Sequence, residues 1–311
     1  MTPNVETVHG RVAPSTASPS RRAVVTSALR ALRPKQWTKN ALVFAALVFD
    51  HQLFDPSRLA TVVGAFACFC IASSAVYLIN DIHDIESDRQ HHRKRLRPIA
   101  AGHISPTSAW SMAVLLSVTA LVGAILLRPA FAGIVAAYLL LMVVYTYVLK
   151  DLVIVDVFTI SAGFLLRAAG GAVVLSVPIS PWLYVCTILL SLFIGFAKRR
   201  HELQLLEESA GAHRRNLNDY SSNLLDQFIL IAAAATVMAY ALYTFTSPSL
   251  PDSHAMMVTI PFVLYAMFRY LFLVHRRDEG GSPEQMLLSD LPLLTCIILW
   301  GVVTIVILYA S

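Results

Sequence analysis

The sequence predicts an all-α fold, a polytopic membrane bundle of nine transmembrane helices, on three observations. Hydrophobic residues make up 57% of the 311-residue chain and charged residues only 14%, with a mean hydropathy of +0.64; soluble domains are nearer half apolar and a quarter charged. The apolar residues gather into runs of about 20, the length that crosses the hydrocarbon core, and a helix satisfies its own backbone groups there. Lys and Arg fall in alternate loops, the pattern that orients membrane proteins.

Residues 1–33 are rich in Ser, Pro, Thr and Arg and contain no apolar stretch of signal-peptide type. They read as a disordered cytoplasmic N-terminal tail without a cleaved signal. Residues 34–311 then form one nine-helix transmembrane catalytic domain. The apolar runs place spans near 40–55, 59–80, 107–127, 130–149, 152–176, 181–197, 224–246, 255–275 and 287–310. The first is short and ends among Asp50, His51 and Asp55. Basic residues crowd the tail and the loops after spans 2, 4, 6 and 8, while the other loops hold only Arg58 and Arg128. This places the N-terminus and the charge-rich loops on the cytoplasmic side of the inner membrane, with the C-terminus outside. The four cysteines (Cys68, Cys70, Cys186 and Cys296) lie inside apolar spans without a CxxC pair, so neither disulfide nor zinc is expected. The net charge of +5 is what large cytoplasmic loops give, and nothing in the chain indicates nucleic acid.

The chemistry concentrates where the second span ends, at Asn80-Asp81-Ile82-His83-Asp84-Ile85-Glu86-Ser87-Asp88. If the helix continues past Ile79, Asp81, Asp84 and Asp88 fall at i, i+3 and i+7 on one face, with Asn80 beside them. Mutually repelling carboxylates need a cation to neutralise them, and an all-oxygen set suits Mg²⁺ that shares itself with substrate phosphates. Arg89, His91, His92, Arg93, Lys94, Arg95, Arg97 and His103 follow, supplying anion ligands after metal ligands. That order suits a diphosphate; the alternative is an ordinary charged loop.

The pattern NDxxDxxxD, followed by KxxRP (Lys94, Arg97, Pro98) and AAG (Ala100 to Gly102), resembles the first aspartate-rich motif of the UbiA superfamily of intramembrane prenyltransferases. The resemblance implies that Asp81, Asp84 and Asp88 are catalytic metal ligands. Members that move a prenyl group normally carry a second aspartate-rich motif after span 6. Here the corresponding loop reads Ala197-Lys198-Arg199-Arg200-His201-Glu202-Leu203. Lys198 and Glu202 form an i, i+4 pair that is either a surface salt bridge or part of a site for a further anion. With RPKQWTKN (Arg33 to Asn40) and LLRAAGGA (Leu165 to Ala172), these segments resemble the phosphoribosyl-transferring branch of the superfamily over roughly residues 33 to 310. That branch implies transfer of 5-phosphoribose from phosphoribosyl diphosphate to a polyprenyl (decaprenyl) phosphate, an early step towards cell-wall arabinan.

Several further residues are candidates for binding these phosphates. Lys35 and Lys39 flank Trp37, where a basic and aromatic belt is equally at home. Tyr147 and Lys150 close the fourth span, where a lysine also serves as a snorkelling anchor. Arg167 lies about ten residues inside a span, a costly position expected to face the interior and to pair with an acid or a substrate anion. Asp156, nearer the cytoplasmic end of the same span, reads as a neighbour of that partner or a group supporting it from behind, unless Lys150 pairs with it. Asn80, Lys94, Arg97, Lys198, Arg199 and Glu202 complete the set. Asp219 and Tyr220 match the branch alone, and Gly170 and Gly171 read as close-packing residues. An ionised lipid phosphate needs no general base, in keeping with the absence of a Ser/His/Asp or Cys/His set. Two other functions stay open: transfer of a prenyl group from its diphosphate to an aromatic acceptor, and membrane transport. The second acidic motif is missing for the first, and no midplane pair of acids marks the second. Assembly as a homo-oligomer is also left open.

Overall fold

The computed structural model describes residues 21–92, 94–178, 181–208, 219–247, 250, 253–276 and 283–310. Twelve α-helices are described: α1 (Arg21–Ala31), α2 (Ala45–Phe49), α3 (Pro56–His83), α4 (Ile85–Gln90), α5 (Pro106–Leu127), α6 (Pro129–Tyr147), α7 (Val155–Leu175), α8 (Pro181–Glu208), α9 (Ser222–Thr246), α10 (Ile260–Arg276), α11 (Pro283–Ser289) and α12 (Leu291–Ala310). No strand occurs among the described residues. Eight helical segments are long and apolar enough to cross a membrane, so the chain is a multi-pass membrane protein.

Local sequence sets the helix starts. Asp55 accepts from the backbone N–H groups of Ser57 and Arg58 ahead of Pro56, and Ser105 accepts from Ser108 N–H ahead of Pro106. Ser221 and Asp290 do the same for α9 and α12 through Leu224 N–H and Leu293 N–H. Each satisfies donors that helix starts leave unpaired, and proline loses nothing there because its missing N–H would be unpaired anyway. Arg58 donates to Leu175 O at 2.7 Å and Arg128 to Val173 O at 3.3 Å. The two arginines that break the alternation of basic loops thus cap the C-terminus of α7, where free carbonyls attract cations.

The first crossing differs from expectation. Residues 34–44 form a 3-10 helix, continued by α2 to Phe49, instead of an α-helical span over 40–55. Eleven 3-10 residues rise about 22 Å and five α-helical ones about 7 Å, together about the thickness of the hydrocarbon core. Contacts with α3 follow this geometry step by step: Arg33 meets Asp81, Trp37 meets Ser74, Asn40 meets Ser73 and Cys70, and Phe44 meets Phe66. The eleven residue-to-residue steps from Arg33 to Phe44 and the fifteen from Asp81 back to Phe66 both rise about 22 Å, the first at 3-10 and the second at α-helical pitch. The segment therefore runs antiparallel to α3 along its length. Residues 21–31, expected to be disordered, are helical in α1, with Ala31 packed against Leu78 and Ile79; residues 1–20 lie outside the described part. The last expected span divides at Asp290 into α11 and α12.

The core has two halves with α7 between them. One gathers α2, α3, α5, α6 and the C-terminal part of α7 around Phe69, Phe131 and Leu47, and the other gathers α8, α9, α10 and α12 around Phe193, Leu225 and Leu273, with Val157 of α7. At Gly171 a Cβ would lie 2.0 Å from Val43 O, so only glycine lets the first crossing lie on α7. Gly170 likewise faces Phe69 and Phe131, and the reading of this pair as close-packing residues holds.

Candidate functional site

The acidic motif sits where α3 ends. The helix continues to His83, as the motif requires, but breaks at Asp84 (φ −93°, ψ 9°) before α4 begins. The three carboxylates therefore do not share one uninterrupted face. Asp81, from α3, and Asp88, from α4, turn inwards and are only 1% and 2% exposed. Arg97 Nη1 lies between them, 3.1 Å from Asp81 Oδ1 and 2.6 Å from Asp88 Oδ2. The turn that places Arg97 explains the rest of the motif. Ala101 N–H donates to Arg97 O and Gly102 N–H to Ile99 O, with Pro98 fixing the start of the turn and Gly102 (φ 78°) ending it in the left-handed region. Ile99, 2% exposed, anchors it in the core.

Asp84 faces elsewhere. It accepts from Lys150 Nζ at 2.5 Å and Asn80 Nδ2 at 3.0 Å, with His83 Nδ1 also at 3.0 Å. Burial alone would raise this carboxyl, but the bonds from Lys150 and His83 outweigh it and hold it below the ordinary carboxylate range. Lys150 Nζ is also 3.0 Å from His83 Nδ1, and the half-exposed Tyr147 ring meets the His83 ring edge-on at 4.9 Å. Lys150 is thus drawn to Asp84 and is no partner of Asp156.

The counter-charges expected from a metal alone are supplied in this structure by Arg33, Arg97 and Lys150. Among the described residues no three acidic, cysteine or histidine side chains converge on one point: Asp81 and Asp88 meet at Arg97, while Asp84 turns to Lys150. The Asp81–Asp88 pair fits a divalent ion. Its two carboxylates already share one cationic nitrogen, and Mg²⁺ is commonly held by one or two carboxylates with waters and substrate phosphates.

The remaining predicted residues divide between this end and the interior. Lys35 is exposed, and Lys39 and Lys94 are half-buried; between the first two, Trp37 Nε1 donates to Ser74 Oγ at 3.1 Å, tying this belt to α3. The segment expected to be a loop after span 6 is instead the end of α8, which carries Lys198, Arg199 and Glu202 on helix. Arg199 is 2% exposed, donates to Asp156 Oδ2 at 2.7 Å and also pairs with Glu202. Its charge is thus matched by two acids, one on α7 and one on its own helix. Lys198 is half-buried on the same turn.

Arg167 is 6% exposed and faces the interior, as expected, but its partners are not acids. It donates to Asn40 Oδ1 at 2.6 Å, Gly163 O at 2.8 Å and the Tyr138 hydroxyl at 2.9 Å, and lies over the Tyr138 ring at 4.7 Å. Asp156 belongs to Arg199. Arg167 ties the first crossing to α6 and α7, and stands as a structural hub in this arrangement.

Two features were not found in the sequence. Arg33 pairs with Asp81 and stacks on Tyr77 at 4.9 Å; its only sequence signal was its place at the head of RPKQWTKN. Ile154, a β-branched residue at φ 68°, makes a tight γ-turn closed by Val155 N–H to Val153 O at 2.7 Å. Its own N–H donates to the Tyr220 hydroxyl at 2.6 Å. The strained turn joins Lys150, at Asp84, to Asp156, at Arg199, and nothing in the sequence marks it.

Known proteins resemble this chain in sequence and in fold. The profile of the UbiA prenyltransferase family matches residues 41–291. The decaprenyl-phosphate phosphoribosyltransferase of Mycobacterium tuberculosis is 36% identical over 287 residues, covering 89% of this chain and 92% of the relative. The Corynebacterium glutamicum protein of the same name is also 36% identical, over 88% of this chain and 83% of its own. Among solved structures, a UbiA homolog from Archaeoglobus fulgidus bound to DMAPP and Mg²⁺ superposes with a TM-score of 0.70 at 17% identity, covering 92% of this chain and all of that one, a likeness of fold.

Proposed function

The chain belongs to the UbiA prenyltransferase family, and from that premise we propose that it moves 5-phosphoribose from phosphoribosyl diphosphate to a polyprenyl phosphate, decaprenyl phosphate in particular. Diphosphate is released, and the product leads towards decaprenylphosphoryl-arabinose. The observation that carries the reading is the Asp81–Asp88 pair gathered around one cation at the end of α3. The two relatives named for this activity, each matching most of this chain, support the choice of donor and acceptor.

Asp81 and Asp88 would hold the metal, Mg²⁺ by preference. When bound, it neutralises charge developing on the leaving diphosphate and orients it. Arg97, fixed by its turn, stays beside the carboxylates to donate to phosphate oxygens. Lys150 keeps Asp84 ionised and turned away from the metal pair. Lys35, Lys39, Lys94 and Lys198 supply further positive charge at the same end of the bundle. The lipid phosphate is already ionised, so one of its oxygens attacks the anomeric carbon directly. The bond from that carbon to the diphosphate breaks, and its electron pair leaves with the diphosphate, with no proton to be moved. The chain orientation follows the Lys/Arg bias, placing this end in the cytoplasm with the soluble donor.

The test is a transfer assay on purified protein in detergent with Mg²⁺. Phosphoribosyl diphosphate and geranyl diphosphate are each offered with polyprenyl phosphate and with an aromatic acid. Product from the first donor and the lipid phosphate alone is expected; product from geranyl diphosphate and the aromatic acid would assign the chain to prenyl transfer instead.

A further inference from the structure

Asp81 Oδ1 accepts from two guanidinium groups at once, those of Arg33 and Arg97. Two like charges on one carboxylate oxygen repel each other, and they are not held equally. Arg97 also bonds Asp88, and its backbone rests in a regular turn. Arg33 has a left-handed backbone (φ 52°, ψ 58°), which a Cβ disfavours and the ring of the following Pro34 disfavours further. Strain of this kind persists only where surrounding contacts impose it, and it clusters at working sites. Two backbone bonds hold the residue, Arg33 N–H to Arg30 O at 3.2 Å and Gln36 N–H to Arg33 O at 2.9 Å, and its side chain is held by the ion pair with Asp81 and the stack on Tyr77. The Arg33 side chain is 24% exposed at the mouth of the acid pair, whereas Asp81 is 2% exposed beneath it.

With two guanidiniums against two carboxylates the pair is already neutral, so a divalent ion arriving between Asp81 and Asp88 must displace positive charge. The more strained and less bonded of the two cations is the one to leave. We propose that Arg33 is a binding residue of the diphosphate: it serves as the counter-ion of Asp81 without metal, and on metal binding transfers its guanidinium to the diphosphate that arrives with the metal. The inference rests on the metal–diphosphate reading above. Stacking on Tyr77 keeps the planar group oriented while it exchanges one oxyanion for another, and its fork of donors suits a phosphate as well as a carboxylate.

The proposal predicts effects of opposite sign from one substitution, which a merely structural role would not give. Mn²⁺ binding to the intact protein in detergent is read by electron paramagnetic resonance, first alone and then as inorganic diphosphate is titrated in. In Arg33→Gln, Mn²⁺ alone is expected to bind roughly tenfold tighter, because its competitor for Asp81 is gone, and diphosphate in the presence of Mn²⁺ roughly tenfold weaker. Arg33→Lys keeps a charge without the planar fork and should recover part of the diphosphate affinity. If Arg33→Gln weakened Mn²⁺ binding, or left diphosphate affinity unchanged, the exchange would be overturned and Arg33 reduced to a fixed counter-ion. A parent protein whose Mn²⁺ binding is absent, or is insensitive to Asp88→Asn, would instead overturn the metal site and the inference with it.

Discussion

Each cation that matters at this site is held by a particular acid, and the consequences of substitution differ accordingly. Asp88→Asn removes one of two carboxylates from the Arg97 bridge while keeping its shape, and turnover should fall by at least about a hundredfold in a steady-state assay. Arg199→Met is a different experiment, because it leaves Asp156 buried at 0% exposure without its partner. A loss of about 3–5 kcal/mol is expected from removing one member of a buried pair, read as a lower unfolding temperature in detergent; an unchanged temperature would show that the pair is not what holds α7 to α8. The acids themselves were legible in the sequence, because three carboxylates closing an apolar run leave few other readings. Their counter-ions were not. Arg33 and Lys150 reach the motif from other helices, and Arg199, read as a free cation in a basic run, has two acidic partners, one of them on α7. Charge patterning along a chain cannot report which charges meet across a bundle.

Among the elements, the first crossing and the γ-turn carry the most stringent geometry. Gly171→Ala drives a Cβ towards Val43 O, a backbone atom that cannot turn aside, and should lower stability by about 1–3 kcal/mol or more. Gly301→Ala, where a Cβ meets nothing within 4 Å, should be neutral or slightly stabilising in its helix. A thermal unfolding series in detergent separates the two. Tyr220→Phe removes the acceptor of Ile154 N–H and should cost about 1–3 kcal/mol if that N–H is left without water. Because the turn positions Lys150, activity should fall as well; a variant with parental stability and turnover would show that the hydroxyl does not pin the turn. The eight longer spans were legible because their apolar runs match the bilayer, and their ends follow Pro, Asp and Ser signals. The first was misplaced because its opening turns carry Lys35, Gln36, Lys39 and Asn40, so a search for an apolar run begins only near residue 40, too far along the chain. The γ-turn was illegible because isoleucine is among the last residues expected at positive φ.

For the whole molecule, the account requires that the first crossing and α3 be two membrane passes, with the acid pair at the end of α3 facing the cytoplasm. Ser57 and Ser87 are exposed near opposite ends of α3. In intact cells a cysteine at Ser57 should react with a membrane-impermeant thiol reagent and one at Ser87 should not, and the reverse pattern would invert the bundle. The all-helical fold followed from composition alone, since a chain this apolar has few ways to satisfy its backbone in lipid. The identity of the transferred group rests on family resemblance, and one measurement addresses it most directly. Phosphoribosyl diphosphate is labelled at either its 5-phosphate or its terminal diphosphate phosphorus and incubated with the protein, Mg²⁺ and polyprenyl phosphate. The account predicts that the 5-phosphate label passes into the lipid, that the diphosphate label is released into water, and that both events stop in chelator and in Asp88→Asn. Retention of both labels in unreacted donor, while labelled geranyl diphosphate is transferred to an aromatic acid under the same conditions, would contradict it.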